Sequence, residues 1–110
     1  MKTLYMVRCN AVVGREVEFN HWYSQVHLPE ILLIPGFCSA QRFQLGAVQM
    51  LAAQSFGYMT IYEIAGDNVA ATLANLKAAS WLQMSDAIDM ASLDVSIFTA
   101  MDEPVDAAGL

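Results

Sequence analysis

The chain of 110 residues is 56% hydrophobic and 15% charged, and its formal net charge is -6. Soluble domains usually contain about 45–50% apolar and about 25% charged residues, so this chain has more apolar surface than one small core buries. It has no run of roughly 18 apolar residues that would span a membrane, and its first residues lack the apolar segment of a signal peptide. It also has no cluster of Lys and Arg that would neutralise a nucleic-acid backbone. We therefore predict a cytoplasmic homodimer that binds neither membrane nor nucleic acid.

The first half of the chain is predicted to form a strand followed by a helix. Residues 3–10 (TLYMVRCN) alternate as a short strand does. Residues 15–28 follow a helical pattern, because their apolar side chains recur at spacings of three and four: Phe19, Trp22, Tyr23 and Val26. Pro29 and the Pro35–Gly36 pair then end this element, after at most one further helical turn.

The second half is predicted to contain three more strands and one more helix. Residues 37–49 and 56–65 have the pattern of strands, with a loop at 50–55 between them. Asp67 is the predicted N-cap of a helix through NVAATLANLKA. Residues 81–90 are expected to form a short helical turn or a loop, and residues 91–101 the fourth strand.

The order β-α-β-β-α-β predicts an α+β fold of the ferredoxin-like type, with two helices on one face of a four-stranded antiparallel sheet. This domain is predicted to span residues 1–103, followed by a C-terminal tail at 104–110. The second face of the sheet is too apolar for water, so two sheets are expected to pack face to face across a two-fold axis. The predicted assembly is a dimeric α+β barrel.

The stretch HWYSQVHLPE contains both histidines of the chain. A helical projection from Phe19 places Asn20, Tyr23 and His27 on one flank of the buried stripe, where they could line a pocket, and His21 on the water side. His27 has two interpretations. It is either a partly buried histidine that bonds to the backbone, or a group that transfers protons, because the unperturbed pKa of imidazole lies near 6.5.

Four other side chains are candidates for substrate binding, each with a structural alternative. Arg42 either pairs with a carboxylate of the protein or anchors a carboxylate or enolate of a substrate. Trp22 either packs between helix and sheet or lines the pocket. Tyr58 and Tyr62, on one face of the third strand, either pack with a polar tip or orient a ligand.

No motif in the chain predicts a metal or cofactor site. Cys9 and Cys38 are too far apart in sequence for a CxxC motif, and no Cys/His cluster has zinc spacing. We expect both to be free thiols. Neither a GxSxG motif nor a glycine loop for phosphate is present. The chemistry that remains is acid–base catalysis without a cofactor, or binding alone.

Residues 19–43 (FNHWYSQVHLPEILLIPGFCSAQRF) resemble the EthD-like family of dimeric α+β barrel proteins. The likeness consists of a helical Trp-Tyr pair, a His-x-Pro four residues after the Tyr, a Pro-Gly-Phe turn and an Arg-Phe pair on the next strand. Matched by position, the family's histidine is His27, its aromatic pair Trp22 and Tyr23, and its arginine–aromatic pair Arg42 and Phe43. The superfamily includes cofactor-free polyketide cyclases, muconolactone isomerases and small monooxygenases, so the resemblance implies the fold more directly than the reaction. The haem-ligand pattern of peroxidase-like relatives has no match here.

Three functions are therefore open. The first is a cofactor-independent isomerase, cyclase or lyase in catabolism or secondary metabolism, in which His27 moves a proton on a small apolar metabolite of aromatic, polyketide or lactone type. Asn20 or Tyr23 would orient the imidazole or the substrate, and Arg42 would stabilise negative charge. The second is a non-catalytic ligand-binding or accessory protein of a degradation pathway that uses the same pocket. The third is a purely structural dimer.

Overall fold

A four-stranded antiparallel sheet and two helical segments form the architecture of residues 1–109, which are the part of the chain that the computed structural model describes. The elements in chain order are β1 (Thr3–Ala11), α1 (Glu16–Trp22), a π-helical turn (Tyr23–His27), α2 (Leu28–Ile31), β2 (Phe37–Gln44), β3 (Tyr58–Ile64), α3 (Val69–Ala78) and β4 (Ile88–Thr99). The strands are arranged in the order β2-β3-β1-β4. This arrangement confirms the predicted ferredoxin-like fold.

The two faces of the sheet differ in what covers them. Val7 and Cys9 of β1 and Thr60 and Tyr62 of β3 are buried, because the helices pack against this face. The opposite face, which we call the open face, carries the alternate residues of the paired strands, and no helix of residues 1–109 packs on it. Its apolar members are Leu4, Met6, Phe43, Met59, Ile61 and Phe98.

Two apolar clusters fill the space between helices and sheet. One gathers side chains from β1, α2, β3, the turn before β2 and the first residue of β2, including Val7, Ile34 and Phe37. The other joins the first helical segment, which comprises α1, the π-helical turn and α2, to β1 and the start of β4. Its members are Cys9, Phe19, Trp22, Tyr23, Ala87 and Ile88. The aromatic residues of the stripe predicted on the first helix, Phe19, Trp22 and Tyr23, are therefore buried in this second cluster.

The turn at Gly36 ties the first helical segment to α3. Gly36 adopts φ of +108°, a region that side chains other than glycine rarely enter. A Cβ atom at this position would overlap the side chain of Thr72, which is itself buried. Glycine is therefore required here both by the backbone conformation and by the close approach of α3.

Several predicted boundaries differ from the structure. β2 ends at Gln44 instead of residue 49, because Gln44 pairs with Tyr58 and β3 offers no partner beyond it. The N-cap of α3 is Asn68 and not Asp67, since the Asn68 Oδ1 atom accepts a hydrogen bond of 2.9 Å from the Ala71 N–H. Residues 81–87 contain no helix, and β4 begins at Ile88 because β1 extends to Ala11 and supplies its partner.

The structure also bears on the tail and on membrane insertion. Residues 100–109 contain no helix or strand, and Leu110, the last residue of the predicted tail, lies outside the described residues. No helix among residues 1–109 combines the length and the apolar character that crossing a membrane would require.

Candidate functional site

The π-helical turn reorients the side chains that follow Trp22. The Leu28 N–H bonds to the carbonyl oxygen of Tyr23, five residues earlier. In an α-helix, residues five apart point about 140° away from each other, whereas one i→i+5 turn brings them onto the same side. Trp22 and His27 accordingly stack, with ring centroids 4.6 Å apart and an interplanar angle of 26°. The regular projection used for the sequence could not place this pair together.

His27 lies in an apolar environment that disfavours its charged form. Its ring also meets the Tyr23 ring edge-on at 5.1 Å, and its buried Nδ1 atom has no hydrogen-bond partner among residues 1–109. Burial lowers the pKa of His27 from 6.5 to about 4, and the nearby Glu30 carboxylate only partly opposes this shift. The imidazole is therefore neutral at pH 7. The backbone hydrogen bond that would make His27 a satisfied core residue is not formed by Nδ1.

A cavity of about 180 Å³ opens beside His27, between the first helical segment, α3 and β4. Four of the predicted site residues line it: Trp22, Tyr23, His27 and Tyr62. The remaining lining consists of Tyr5 and of aliphatic or thioether side chains, and it contains no charged residue. Because β4 is an edge strand that the helices do not cover, Leu93 and Val95 remain 39% and 44% exposed at the mouth of this cavity.

Three phenols, those of Tyr5, Tyr23 and Tyr62, belong to the cavity wall. The Tyr62 hydroxyl donates to the Tyr23 hydroxyl at 3.4 Å. Burial is the main cause that raises the pKa of both side chains, so both are protonated at neutral pH. The Trp22 Nε1–H donates to the Gln83 carbonyl at 2.7 Å, which fixes the indole under the His27 ring.

Asn20, Arg42 and Tyr58 form a second site, which we call the arginine recess. It has a volume of about 250 Å³ and is lined by these three residues with Phe43 and Gln44. The Arg42 Nη2 atom donates to Asn20 Oδ1 at 2.8 Å, and the Asn20 Nδ2 atom lies 3.4 Å from the Tyr58 hydroxyl. The arginine recess and the cavity share no lining residue.

The predicted site residues are thus divided between two places. The flank predicted to join Asn20, Tyr23 and His27 is not a single surface, because Asn20 belongs to the arginine recess and His27 to the cavity. Tyr23 lies between them: its ring is 4.6 Å from the Arg42 guanidinium on one side and lines the cavity on the other. His21 is exposed, as the projection predicted.

The outer wall of the cavity contains none of the predicted site residues. Its residues come from the segment 82–95: Leu82, Met84, Ile88, Met90, Leu93 and Val95. The alternation of Leu93 and Val95 predicted a strand, but only the sheet order shows that this strand borders the helices at an open edge.

Cysteine and acidic side chains do not gather at either site. Cys9 is buried and Cys38 exposed, both are free as predicted, and β3 separates their strands. Burial raises the pKa of the Cys9 thiol to about 11, which makes it a poor nucleophile. Within the described part of the chain, no three His, Cys, Asp or Glu side chains cluster as metal ligands would.

Comparison with known proteins identifies the fold. No family model and no curated protein matches the chain. Among solved structures, an EthD family protein from Bacillus halodurans C-125 aligns over 92% of this chain and 100% of its own, with 17% identity and a TM-score of 0.55. A candidate monooxygenase from Shewanella loihica PV-4 aligns over 93% of this chain and 96% of its own, with 9% identity and a TM-score of 0.58. The chain therefore has the fold of the EthD-like dimeric α+β barrel proteins, as the resemblance of residues 19–43 predicted. At these sequence identities the likeness shows the fold alone.

Proposed function

We propose that the chain binds a small apolar molecule in the cavity and moves a proton on it through His27, without a cofactor. The observation that carries this proposal is a neutral imidazole in the wall of a cavity that has no charged lining residue. A neutral imidazole at pH 7 accepts a proton. An aromatic, polyketide or lactone-like substrate with an acidic C–H beside a carbonyl matches both the apolar wall and the base.

The apolar wall also strengthens the charges that the reaction creates. Removing a proton yields an imidazolium and an enolate side by side, and each favours the charged form of the other in a medium of low dielectric constant. The pKa of His27 then rises towards neutral pH only when the ligand is ionised. Arg42 would support the enolate through Tyr23, whose ring separates the guanidinium from the cavity. Isomerisation, cyclisation and elimination all use such a proton transfer.

Non-catalytic ligand binding is the second candidate, and the same pKa favours it. A base whose pKa lies near 4 is weak at neutral pH, since general bases work best when their pKa is close to the operating pH. In this case the cavity binds an apolar ligand and the imidazole only positions it. Accessory proteins of a degradation pathway would have this property.

We also propose that the protein is a homodimer in which the open faces of two chains pack together. The described chain exposes 7595 Å², whereas a folded monomer of 12.1 kDa exposes about 6,000 Å². Its radius of gyration is 15.5 Å, against about 13 Å for a compact domain of this length. Phe43 and Phe98 on the open face are 38% and 58% exposed. Face-to-face packing would bury this surface and produce the barrel of a cytoplasmic enzyme or binding protein.

The test separates turnover from binding. We would add 2-tetralone, an aromatic ketone with acidic α-hydrogens, and follow the exchange of the α-hydrogens in D2O by NMR. Binding would be followed by tryptophan fluorescence in a Trp81→Phe background, in which Trp22 is the one remaining indole. If the protein is a catalyst, wild type should accelerate the exchange, whereas His27→Gln should bind the ketone without accelerating the exchange. His21→Gln, which removes the exposed imidazole of the same helical segment, is the matched control and should retain both properties. Binding without exchange in wild type would favour the second candidate, and absence of binding would refute the cavity as the site.

A further inference from the structure

The three arginines of the chain differ in what their Nε–H groups contact. Arg8 donates from Nε and Nη2 to the Asp94 carboxylate at 3.0 and 2.6 Å, and Arg15 donates from Nε to the Glu18 carboxylate at 2.7 Å. Arg42 forms no ion pair within residues 1–109, and its Nε has no acceptor there. The structural alternative for Arg42, pairing with a carboxylate of its own chain, is therefore not realised in the described residues.

The contacts of Arg42 hold one edge of its guanidinium and leave the other edge available. Nη1 donates to the Ser24 hydroxyl at 2.9 Å and to the Asn20 carbonyl at 3.4 Å, and Nη2 donates to Asn20 Oδ1 at 2.8 Å. Asn20 thus bridges the edge between the two Nη atoms. A guanidinium has five N–H donors, and these three bonds leave the Nε–H and one Nη2–H. Those two donors form the fork that binds a carboxylate side-on. The same two donors of Arg8 contact the Oδ2 atom of Asp94.

The surroundings orient the charge but do not neutralise it. The guanidinium carbon lies 4.6 Å from the Tyr23 ring centroid, 5.5 Å from that of Phe19 and 5.8 Å from that of Tyr58. These rings and the neutral oxygens of Asn20 and Ser24 restrict the side chain, so little entropy is lost when an anion binds. Tyr58 and Gln44 also line the arginine recess.

We infer that the arginine recess is a second binding site, specific for the carboxylate of a small molecule. The carboxylate accepts from Arg42 Nε and Nη2, and Tyr58 and Gln44 lie within the same recess. The arginine recess is a different place from the cavity, because no residue lines both. In this site Arg42 does not contact the substrate that binds beside His27.

The experiment reads the Nε–Hε NMR signals of the three arginines during titration with benzoate and, separately, with benzamide, which has a similar shape but no charge. Benzoate should shift the Arg42 signal and leave those of Arg8 and Arg15, whose Nε atoms already bind carboxylates. Benzamide should shift none. Arg42→Gln should weaken benzoate binding roughly 10- to 100-fold, the contribution of a charge-assisted pair. Arg15→Gln removes the same charge elsewhere and should bind as wild type.

Three results would overturn the inference: an Arg42 signal that benzoate does not move, an equal response to benzamide, or equal binding by Arg42→Gln. A fourth is an Arg42 signal that moves when the free protein is diluted to monomer, since an acidic side chain of a second copy would then occupy the fork. The wild-type titration needs no variant, so an Arg42→Gln protein that fails to fold leaves the inference testable.

Discussion

The pKa of His27 differs between the unfolded and the folded chain, so the free energy of unfolding depends on pH in the range between these two values. The pKa of His27 is about 4 in the folded chain and 6.5 as the ordinary value. The unfolded chain therefore binds a proton on this residue at a pH where the folded chain does not. Stability that is present above pH 6.5 is lost as the pH falls towards 4. From these two values, His27 alone should lower the free energy of unfolding by about 2 kcal/mol between pH 8 and pH 5.

The assay is urea unfolding of wild type, His27→Gln and His21→Gln at pH 8, 7, 6 and 5, at one fixed protein concentration because a dimer unfolds in a concentration-dependent way. His27→Gln should lose its stability more slowly than wild type as the pH falls, so that the difference between the two shrinks by about 2 kcal/mol. At pH 8 the difference in free energy of unfolding between wild type and His27→Gln measures a separate effect, the loss of the ring stacking on Trp22. Parallel curves for wild type and His27→Gln would refute the reasoning, as would a flattened curve for His21→Gln.

Three further predictions concern the assembly, the Gly36 turn and the thiols. Light scattering after size exclusion should give about twice the 12.1 kDa of one chain, and Met59→Glu on the open face should give a folded monomer; a stable wild-type monomer would contradict the proposed interface. Gly36→Ala should destabilise the protein by about 2–4 kcal/mol in urea unfolding, whereas Gly66→Ala, also at positive φ but with nothing within 4 Å, should cost about 1 kcal/mol; equal losses would rule out the contact with Thr72. A maleimide should modify exposed Cys38 quickly and buried Cys9 only after unfolding, and fast double labelling of the native protein would contradict the packing around Cys9.

The alternation of β1 and the helical stripe were predictable because both depend on neighbours along the chain. In β1 every second residue from Thr3 faces the helices, and Val7 and Cys9 are buried as the two-residue period requires. The apolar spacing of Phe19, Trp22 and Tyr23 likewise placed them in the core. The element order then left few topologies, and the ferredoxin-like arrangement is the one that the structure has.

The candidate site was predictable only as a set of residues. His27, Trp22, Tyr23 and Tyr62 meet at one cavity, and Asn20, Arg42 and Tyr58 at another recess. The helical projection placed Asn20 and His27 on one flank because it assumed 3.6 residues per turn throughout. The π-helical turn at Tyr23–His27 breaks that assumption, and no residue type in this stretch marks it.

By itself the sequence determined the type and order of the strands and helices, the buried stripe and the exposed side of His21, but not every boundary. The tertiary structure alone decided which side chains from distant elements face each other. Arg42 reaches Asn20 because β2 packs beside the first helical segment, and His27 is neutral because burial lowers its pKa. Contact and desolvation depend on the packing of segments far apart in the chain, and no spacing along the sequence encodes that packing directly.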